Sequence, residues 1–219
     1  VTDSRTGTTC SYGPNNAVNE YSTVCGTAVE YDNAGNLIKD QRGYSYVYDY
    51  ENRIVQIYRD LNSNDIYDAG TDTYIAAYTY DALGRRIEKV IVEPGTGYRC
   101  YYDDQRVIQE NFAAPGVEYD SRTYVFGNYI DEVLIIRPMS MDLYCAHDHL
   151  YSPAVLFNSS GGIDERYEYD AYGKRSMYSG TWAPRTSSPM GNFYAFTGRE
   201  LDYLDGGSLQ IMYYRARYY

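Results

Sequence analysis

The sequence is poor in the residues from which most catalytic and metal sites are built. It contains only two histidines, His147 and His149, and four cysteines without a Cys-x-x-Cys pair. A zinc ribbon is therefore not expected, and the lack of a Gly-x-Ser-x-Gly motif argues against a serine hydrolase triad. The carboxylates are too numerous for any one pair to identify a glycosidase. We predict no catalytic residues and a structural hydrogen-bonding role for both histidines.

The sequence also lacks long apolar runs and an excess of basic residues. No stretch of about 18 apolar residues occurs, so membrane insertion is not expected. Lys and Arg number 19 against 30 Asp and Glu, which gives a formal net charge of −11. Because phosphate backbones attract basic surfaces, nucleic acid is not expected as a partner. An acidic chain fits a secreted or cell-surface protein, and any export signal is expected in a removed segment or in a part outside this sequence.

Tyrosine is the dominant aromatic residue. The chain has 30 tyrosines beside five phenylalanines and one tryptophan, and it has 19 glycines. Aromatic side chains favour strands, and glycine favours tight turns. We predict an all-β fold, without a convincing helix, whose core is built mainly from tyrosine rings.

One short unit recurs along the chain, and residues 77–92 show it most clearly. Tyr80 and Asp81 end a strand, and Gly84 supplies the left-handed backbone that a tight turn needs. The residues of this turn motif and its copies are Tyr31, Asp32, Gly35, Tyr48, Asp49, Tyr80, Asp81, Gly84, Arg85, Tyr169, Asp170 and Gly173. Weaker copies occur at Tyr102–Asp103 and Tyr119–Asp120. Since one hairpin cannot bury its own face, we predict antiparallel β-hairpin repeats that form a coiled, shell-like or solenoid sheet.

Changes in composition and in the repeat pattern along the sequence suggest three regions. These are an N-terminal arm or partial repeat (1–26), repeat hairpins (27–123) and a region continuous with the repeats (124–219). In the last region, we expect a long loop over residues 176–192 and closing strands over 193–198 and 209–219.

The acidic stretch 60–72 is the best candidate for a ligand site. Its oxygen-bearing side chains imitate the spacing of a calcium loop, although Asp65 and Thr71 replace the usual Gly and Glu. The candidate calcium ligands are Asp60, Asn62, Asn64, Asp68 and Asp72. The alternative is a hairpin loop stiffened by side-chain-to-backbone hydrogen bonds. Calcium is the only cofactor that the sequence suggests.

Three further features leave alternatives open. Cys10 and Cys25 could close a small disulfide loop, and Cys100 with Cys145 could close a larger one. Asn158 begins an Asn-Ser-Ser triplet, which fits an N-glycosylation acceptor and also fits a turn. Exposed tyrosines could stack on sugar rings, although packing across strands accounts for most of them.

Several motifs occur in the order typical of one protein family. The Tyr-Asp-x-x-Gly-Arg pattern at residues 80–85 resembles the YD repeats of RHS proteins, and the last third is similar to the RHS-associated core. The core-like motifs lie at residues 147–152, 168–175, 196–200 and 213–219. Tyr151 stands where the family commonly has Gly, and the sequence ends at Tyr219. It therefore does not reach the Asp-Pro-Gly segment whose aspartate carries self-cleavage in many relatives, and protease residues are not assigned.

The resemblance implies a spiral shell of β-hairpins, as found in bacterial toxins, surface proteins and teneurins. A closed shell generally takes more repeats than this sequence contains. The first hypothesis is therefore a non-enzymatic, extracellular structural protein that self-associates with its own copies into a filament or shell. The alternatives are a carbohydrate-binding or adhesion module and a fragment of a toxin-encapsulating RHS shell.

Overall fold

The computed structural model describes residues 2–3, 8–92, 95–114, 117–139, 141–215 and 217–219. The chain divides into two compact units, Val1–Tyr78 (unit 1) and Thr79–Tyr219 (unit 2). Helical structure in the described residues is limited to two short 3-10 turns, Phe196–Gly198 and Asp205–Gly207. The predicted all-β fold class is confirmed. The described residues form no helix that is long and apolar enough to cross a membrane.

Unit 1 is built from short hairpins. Its strands are β1 (Thr2–Asp3), β2 (Thr8–Thr9), β3 (Thr23–Val24), β4 (Thr27–Ala28), β5 (Glu30–Tyr31), β6 (Leu37–Lys39), β7 (Tyr44–Tyr48), β8 (Ile54–Arg59) and β9 (Thr73–Tyr80), the last of which continues past the end of the unit. β1 pairs with β2 and β3 with β4, while β5 to β9 pair antiparallel in chain order. A disulfide joins Cys10 to Cys25 within this unit.

Unit 2 repeats the same plan with longer strands. They are β10 (Arg86–Ile91), β11 (Thr96–Asp103), β12 (Arg106–Ala114), β13 (Val117–Phe126), β14 (Val133–Pro138), β15 (Leu143–His147), β16 (Pro153–Asn158), β17 (Ile163–Tyr169), β18 (Arg175–Ser179) and β19 (Pro184–Arg185). Each pairs antiparallel with the next. β20 (Glu200–Leu204) and β21 (Leu209–Tyr213) form a separate hairpin, which we call the C-terminal hairpin.

Three expectations for the end of the chain were wrong or only partly right. Residues 176–192 are not one long loop, because they include most of β18 and all of β19. Residues 193–198 form a single bridge at Tyr194 and a 3-10 turn instead of a strand. The strand predicted over 209–219 ends at Tyr213, and Ala216 lies outside the described residues.

One turn geometry joins many consecutive strands. Asp81 Oδ1 accepts hydrogen bonds from the backbone N–H groups of Leu83 and Arg85, each at 2.9 Å. Gly84 donates its N–H to the Asp81 carbonyl and has a left-handed φ of 79°. The same pattern, an acceptor side chain followed three residues later by a left-handed residue, begins at Asp32, Asp40, Asp49, Asp148, Asn158, Asp170 and Ser179.

The Tyr-Asp dipeptide is neither necessary nor sufficient for this turn. Asp40 follows a lysine and Asp148 follows a histidine, yet both make it. The predicted hinge at Tyr119–Asp120 was wrong, because both residues lie inside β13 in register with β12. The pair Tyr102–Asp103 does end a strand, but the chain reverses there through the two residues Asp104 and Gln105.

The core of unit 2 mixes aliphatic and tyrosine side chains, whereas the sequence predicted mainly tyrosine. Its fully buried aliphatic residues are Val133, Ile136, Leu143 and Leu156, and its tyrosines are Tyr124, Tyr167 and Tyr194. A buried phenol needs a partner for its hydroxyl, and carboxylates supply it. The Tyr124 hydroxyl donates to Glu110 Oε2 at 2.6 Å, and the Tyr167 hydroxyl donates to Glu165 Oε2. The buried tyrosines therefore bring acidic groups into the core.

We predict that Asp81→Ala lowers the free energy of unfolding by about 1–2 kcal/mol, because two backbone N–H groups and Arg85 lose their acceptor. The urea midpoint reports the change. Asp103→Ala is the matched control: it removes the same charge from an exposed position at another hairpin end. Equal destabilisation by both variants would contradict the assigned role of Asp81.

Candidate functional site

The predicted turn-motif residues lie at the ends of separate hairpins and do not form one site. Some neighbouring turns are linked, since Asn36 Nδ2 donates to Asn52 Oδ1 at 2.8 Å and Arg85 Nη1 donates to the Asp104 carbonyl at 2.8 Å. Desolvation by burial raises the pKa of Asp81, but hydrogen bonds from Arg85 and Leu83 outweigh it and leave the pKa below its ordinary value. The aspartate is therefore a permanent acceptor at neutral pH, which suits a structural role.

The predicted calcium ligands contact one another and the backbone of their own loop. Asp60 Oδ1 accepts the N–H of Ser63, and Asp60 Oδ2 accepts the N–H of Asp65 at 2.9 Å. Asn62 Nδ2 and Asn64 Nδ2 both donate to Asp68 Oδ2, at 2.8 and 2.6 Å. Asp72 accepts the N–H groups of Leu61 and Asp68, at 2.9 and 2.8 Å. In the described part of the chain, no three His, Cys, Asp or Glu side chains are grouped for a metal ion. Calcium binding stays a prediction.

The two remaining cysteines are not joined, contrary to the larger disulfide considered from the sequence. Cys100 and Cys145 are free and buried, and burial raises the pKa of both thiols. Cys145 Sγ lies 3.4 Å from Nε2 of the half-buried His147, whose pKa is lowered by desolvation. A thiol held protonated beside a neutral imidazole is a poor nucleophile. The Asn158 side chain caps a turn by accepting N–H groups of Ser160 and Gly162, and its glycosylation stays a prediction.

A cluster of buried charges is the most distinctive chemical feature of unit 2. It joins Arg86 and Lys89 on β10 to Glu200 and Asp202 on β20 of the C-terminal hairpin. Arg86 Nη1 and Lys89 Nζ each lie 2.8 Å from an oxygen of Asp202, and Arg86 Nη2 donates to Glu200. Arg86 and Lys89 are each 0% exposed. We refer to these four residues as the buried ion cluster.

Aromatic rings and a phenol hydroxyl surround the two cations. The Arg86 guanidinium lies 4.2 Å from the centre of the Tyr213 ring, and its Nη1 meets the Tyr218 hydroxyl at 2.6 Å. Lys89 Nζ lies 4.5 Å from the centre of the Phe193 ring and 5.4 Å from that of Tyr98. Cation–π attraction is strongest where water is absent, so these rings replace part of the lost hydration.

Further buried carboxylates in unit 2 are also neutralised by arginine. Arg122 Nη1 lies 3.2 Å from Glu110 Oε2, and Arg185 Nη1 lies 3.4 Å from Glu165 Oε1. Glu165 also accepts the hydroxyl hydrogen of Ser188 at 2.7 Å. The interior is thus polar but paired, which is the condition under which charge is tolerated inside a protein.

The charges of the buried ion cluster favour a protonated lysine over a nucleophilic one. Desolvation lowers the pKa of Lys89, but Asp202 and Glu200 overcome it and raise the pKa above its ordinary value. Burial raises the pKa of Glu200, and the nearby cations oppose that effect. An ammonium with a raised pKa is a poor base and a poor nucleophile at neutral pH. The cluster is therefore suited to fixing the C-terminal hairpin against β10.

Sequence reasoning missed the buried ion cluster. Arg86 directly follows the turn-motif residue Arg85 in sequence, and successive residues of an extended chain face opposite ways. Arg85 therefore contacts the turn, whereas Arg86 points into the core. Two charged residues in alternate positions, Glu200 and Asp202, were a usable signal, because alternation places both on one face of a strand.

No family model matches the chain. Its curated relatives include the tRNA3(Ser)-specific nuclease WapA of Bacillus spizizenii, 25% identical over 205 residues, and the tRNA nuclease WapA of Bacillus subtilis strain 168, 25% identical over 204 residues. Each alignment covers 93% of this chain and 8% of the relative. The chain therefore spans a small part of the length of the curated relatives that it matches.

Solved structures share the fold. TcdB2-TccC3 matches with a TM-score of 0.59 and 18% identity over 86% of this chain and 9% of that chain. TcdB2-TccC3 without its hypervariable C-terminal region matches with a TM-score of 0.55 and 16% identity, over 96% of this chain and 11% of that chain. The fold is RHS-like. This likeness confirms the antiparallel β-hairpin repeats predicted from the sequence, at the level of the fold.

The calcium hypothesis predicts that added calcium raises the melting temperature of the chain and that the double variant Asp60→Ala, Asp68→Ala loses this response. Added magnesium serves as the control ion. Because a calcium ion has to displace backbone N–H groups from Asp60, binding requires the loop to rearrange. Equal melting curves with and without calcium in the parent chain would refute the hypothesis.

We predict that Asp202→Ala costs about 3–5 kcal/mol of unfolding free energy, because it leaves Arg86 and Lys89 buried without their shared carboxylate. Urea unfolding followed by circular dichroism measures the loss. Asp142→Ala is the control, since it removes an aspartate whose ion pair with Arg137 is exposed to solvent. If Asp142→Ala lowered the free energy of unfolding as much as Asp202→Ala, the buried ion cluster would contribute no more to stability than an exposed ion pair.

Proposed function

We propose that this chain is a wall segment of an RHS-type shell that encloses a toxin. The observation that carries the proposal is the match to TcdB2-TccC3, in which 86% of this chain corresponds to 9% of a much longer chain. A segment that shares its fold with so small a part of a large protein is best understood as part of a larger wall. The alignments to WapA have the same proportions.

The physical character of unit 2 supports a wall segment. Antiparallel strands follow one another in chain order from β10 to β19, so each new hairpin extends the sheet from the previous one. The buried ion cluster ties β20 to β10, which are separated by more than 100 residues in sequence. Such long-range ion pairs resist opening of the sheet, which is what a wall requires.

The filament hypothesis receives less support than the shell-segment hypothesis. Its premise was that the sequence has too few repeats to close a shell and must self-associate. If the sequence is a segment of a longer chain, adjoining repeats of that chain continue the sheet and can close the shell, and self-association is not needed. Carbohydrate binding stays an alternative. Its support is still the possible stacking of exposed tyrosines on sugar rings, to which the geometry of the described residues adds nothing.

We infer that the segment itself is non-catalytic. The buried charges of unit 2 are paired with one another, and the free thiols are buried. Nuclease activity belongs to the WapA proteins by name. Under this proposal, any comparable toxin activity resides in another part of a longer parent chain, and the wall faces an extracellular or cell-surface environment.

Electron microscopy tests the proposal. Expressed from its complete open reading frame, the parent protein is expected to form hollow particles that protect an enclosed polypeptide from added protease. Asp202→Ala in that parent is expected to expose the enclosed polypeptide, whereas Asp142→Ala is not. The 219-residue chain alone is expected to form no regular filaments. Ordered filaments of this chain, or a parent protein without a protected polypeptide, would refute the shell-segment function.

A further inference from the structure

A small cavity in unit 2 is lined by an unusual number of arginines. Its volume is about 50 Å³, and the charged side chains around it are Arg85, Arg106, Arg199, Arg215, Asp131 and Glu200. A water molecule needs roughly 10–15 Å³ on this scale. The cavity therefore has room for a group of a few heavy atoms, but not for a sugar ring or a nucleotide.

The carboxylates around the cavity do not balance its arginines. Glu200 is already bound to Arg86 in the buried ion cluster. Asp131 is shared, because Arg199 Nη1 lies 3.0 Å from its Oδ1 and Arg215 Nη2 donates to the same oxygen. One buried oxygen that receives two guanidinium groups leaves positive charge uncompensated.

Arg106 adds a cation without a carboxylate partner among the residues that the structure describes. Its Nη2 donates to the Asn128 carbonyl at 3.2 Å, and its guanidinium lies 5.7 Å from the centre of the Phe126 ring. Arg85 is paired with Asp81 and also donates to the Asp104 carbonyl. Both arginines therefore remain able to donate further N–H groups, since a guanidinium carries five.

The backbone around the cavity is held in conformations that favour close approach. Arg215 has a φ of 61°, a left-handed conformation that is costly for a residue with a side chain. Gly198 has a φ of 69°, and a Cβ atom at this position would collide with the Asp131 carbonyl. These positions allow Arg199 and Arg215 to reach the same carboxylate.

We propose that this cavity binds a small anion, either a free oxyanion such as phosphate or the carboxylate of an acidic side chain. Planar guanidinium groups recognise both through paired N–H donors, and the small volume limits the ligand to one such group. Because the whole chain carries a net charge of −11, this local excess of positive charge is not a property of the general surface. The proposal is independent of the shell-segment function.

Calorimetric titration of the 219-residue chain tests the proposal, with inorganic phosphate as one probe and acetate as the other, at constant ionic strength. Saturable one-site binding of at least one probe is expected. Arg106→Gln is expected to weaken it about ten-fold, because charge-assisted hydrogen bonds are lost. Preference for phosphate indicates a free oxyanion as ligand, and preference for acetate indicates an acidic side chain.

The matched control is Arg137→Gln, which removes one arginine from an exposed ion pair elsewhere. Among the described residues Arg106 has no ion-pair partner that its loss would leave unpaired, so its variant is expected to fold, and circular dichroism checks this. Arg106→Lys keeps the charge but loses the planar fork, and it is expected to bind more weakly than the parent. Non-saturable binding of both probes, or equal weakening by Arg106→Gln and Arg137→Gln, would overturn the anion site.

Discussion

Unit 2 depends on one constraint: an ionised carboxylate leaves water only where cations or hydrogen-bond donors replace its lost hydration, and in unit 2 cations take a large share of this role. Desolvation of a lone carboxylate costs more than a single neutral hydrogen bond returns. Glu200 and Asp202 lie on the C-terminal hairpin, and their cations, Arg86 and Lys89, lie on β10. The hairpin therefore cannot shift without exposing unpaired charge on both strands. The tyrosine rings around the cations help to meet the same constraint, because they fill apolar space and offer cation–π attraction where water is absent.

The turns follow a separate and purely local rule. A short acceptor side chain such as that of Asp81 satisfies the N–H groups two and four residues ahead, and a left-handed residue at the fourth position reverses the chain. Glycine fills that position at Gly84 and Gly173, but Asn52, Tyr151 and Trp182 also adopt it. The side-chain oxygen acceptor, whether a carboxylate, an amide or a hydroxyl, is therefore the constant element of the turn. Glycine has the lowest conformational cost at the left-handed position, which other residues can also occupy.

The difference between local turns and long-range ion pairs explains how much of the structure could be predicted from the sequence. The all-β class and the turns at Asp32, Asp49, Asp81 and Asp170 were predictable because each depends on five neighbouring residues. The turn at Asp40 was not predicted, because Lys39 precedes it where the repeat motif has a tyrosine. The buried ion cluster was not predicted, because its cations and carboxylates are more than 100 residues apart in sequence and their pairing depends on the tertiary structure. A tyrosine-dominated core was expected, yet the fully buried Val133 and Ile136 show that composition describes the residues available and not their positions.

The distribution of charge bears on the choice between a shell segment and a self-associating filament. The buried carboxylates Glu110, Glu165 and Asp202 each contact a cation, so the interior contributes little to the formal net charge of −11. The excess negative charge therefore belongs to the surface. Copies of such a chain repel one another, because a net charge far from zero opposes association. In a sheet formed by one covalent chain, the backbone holds successive hairpins together. Separate charged copies then do not have to associate against their mutual repulsion. Surface charge thus favours a wall built from one long chain over a polymer of short ones.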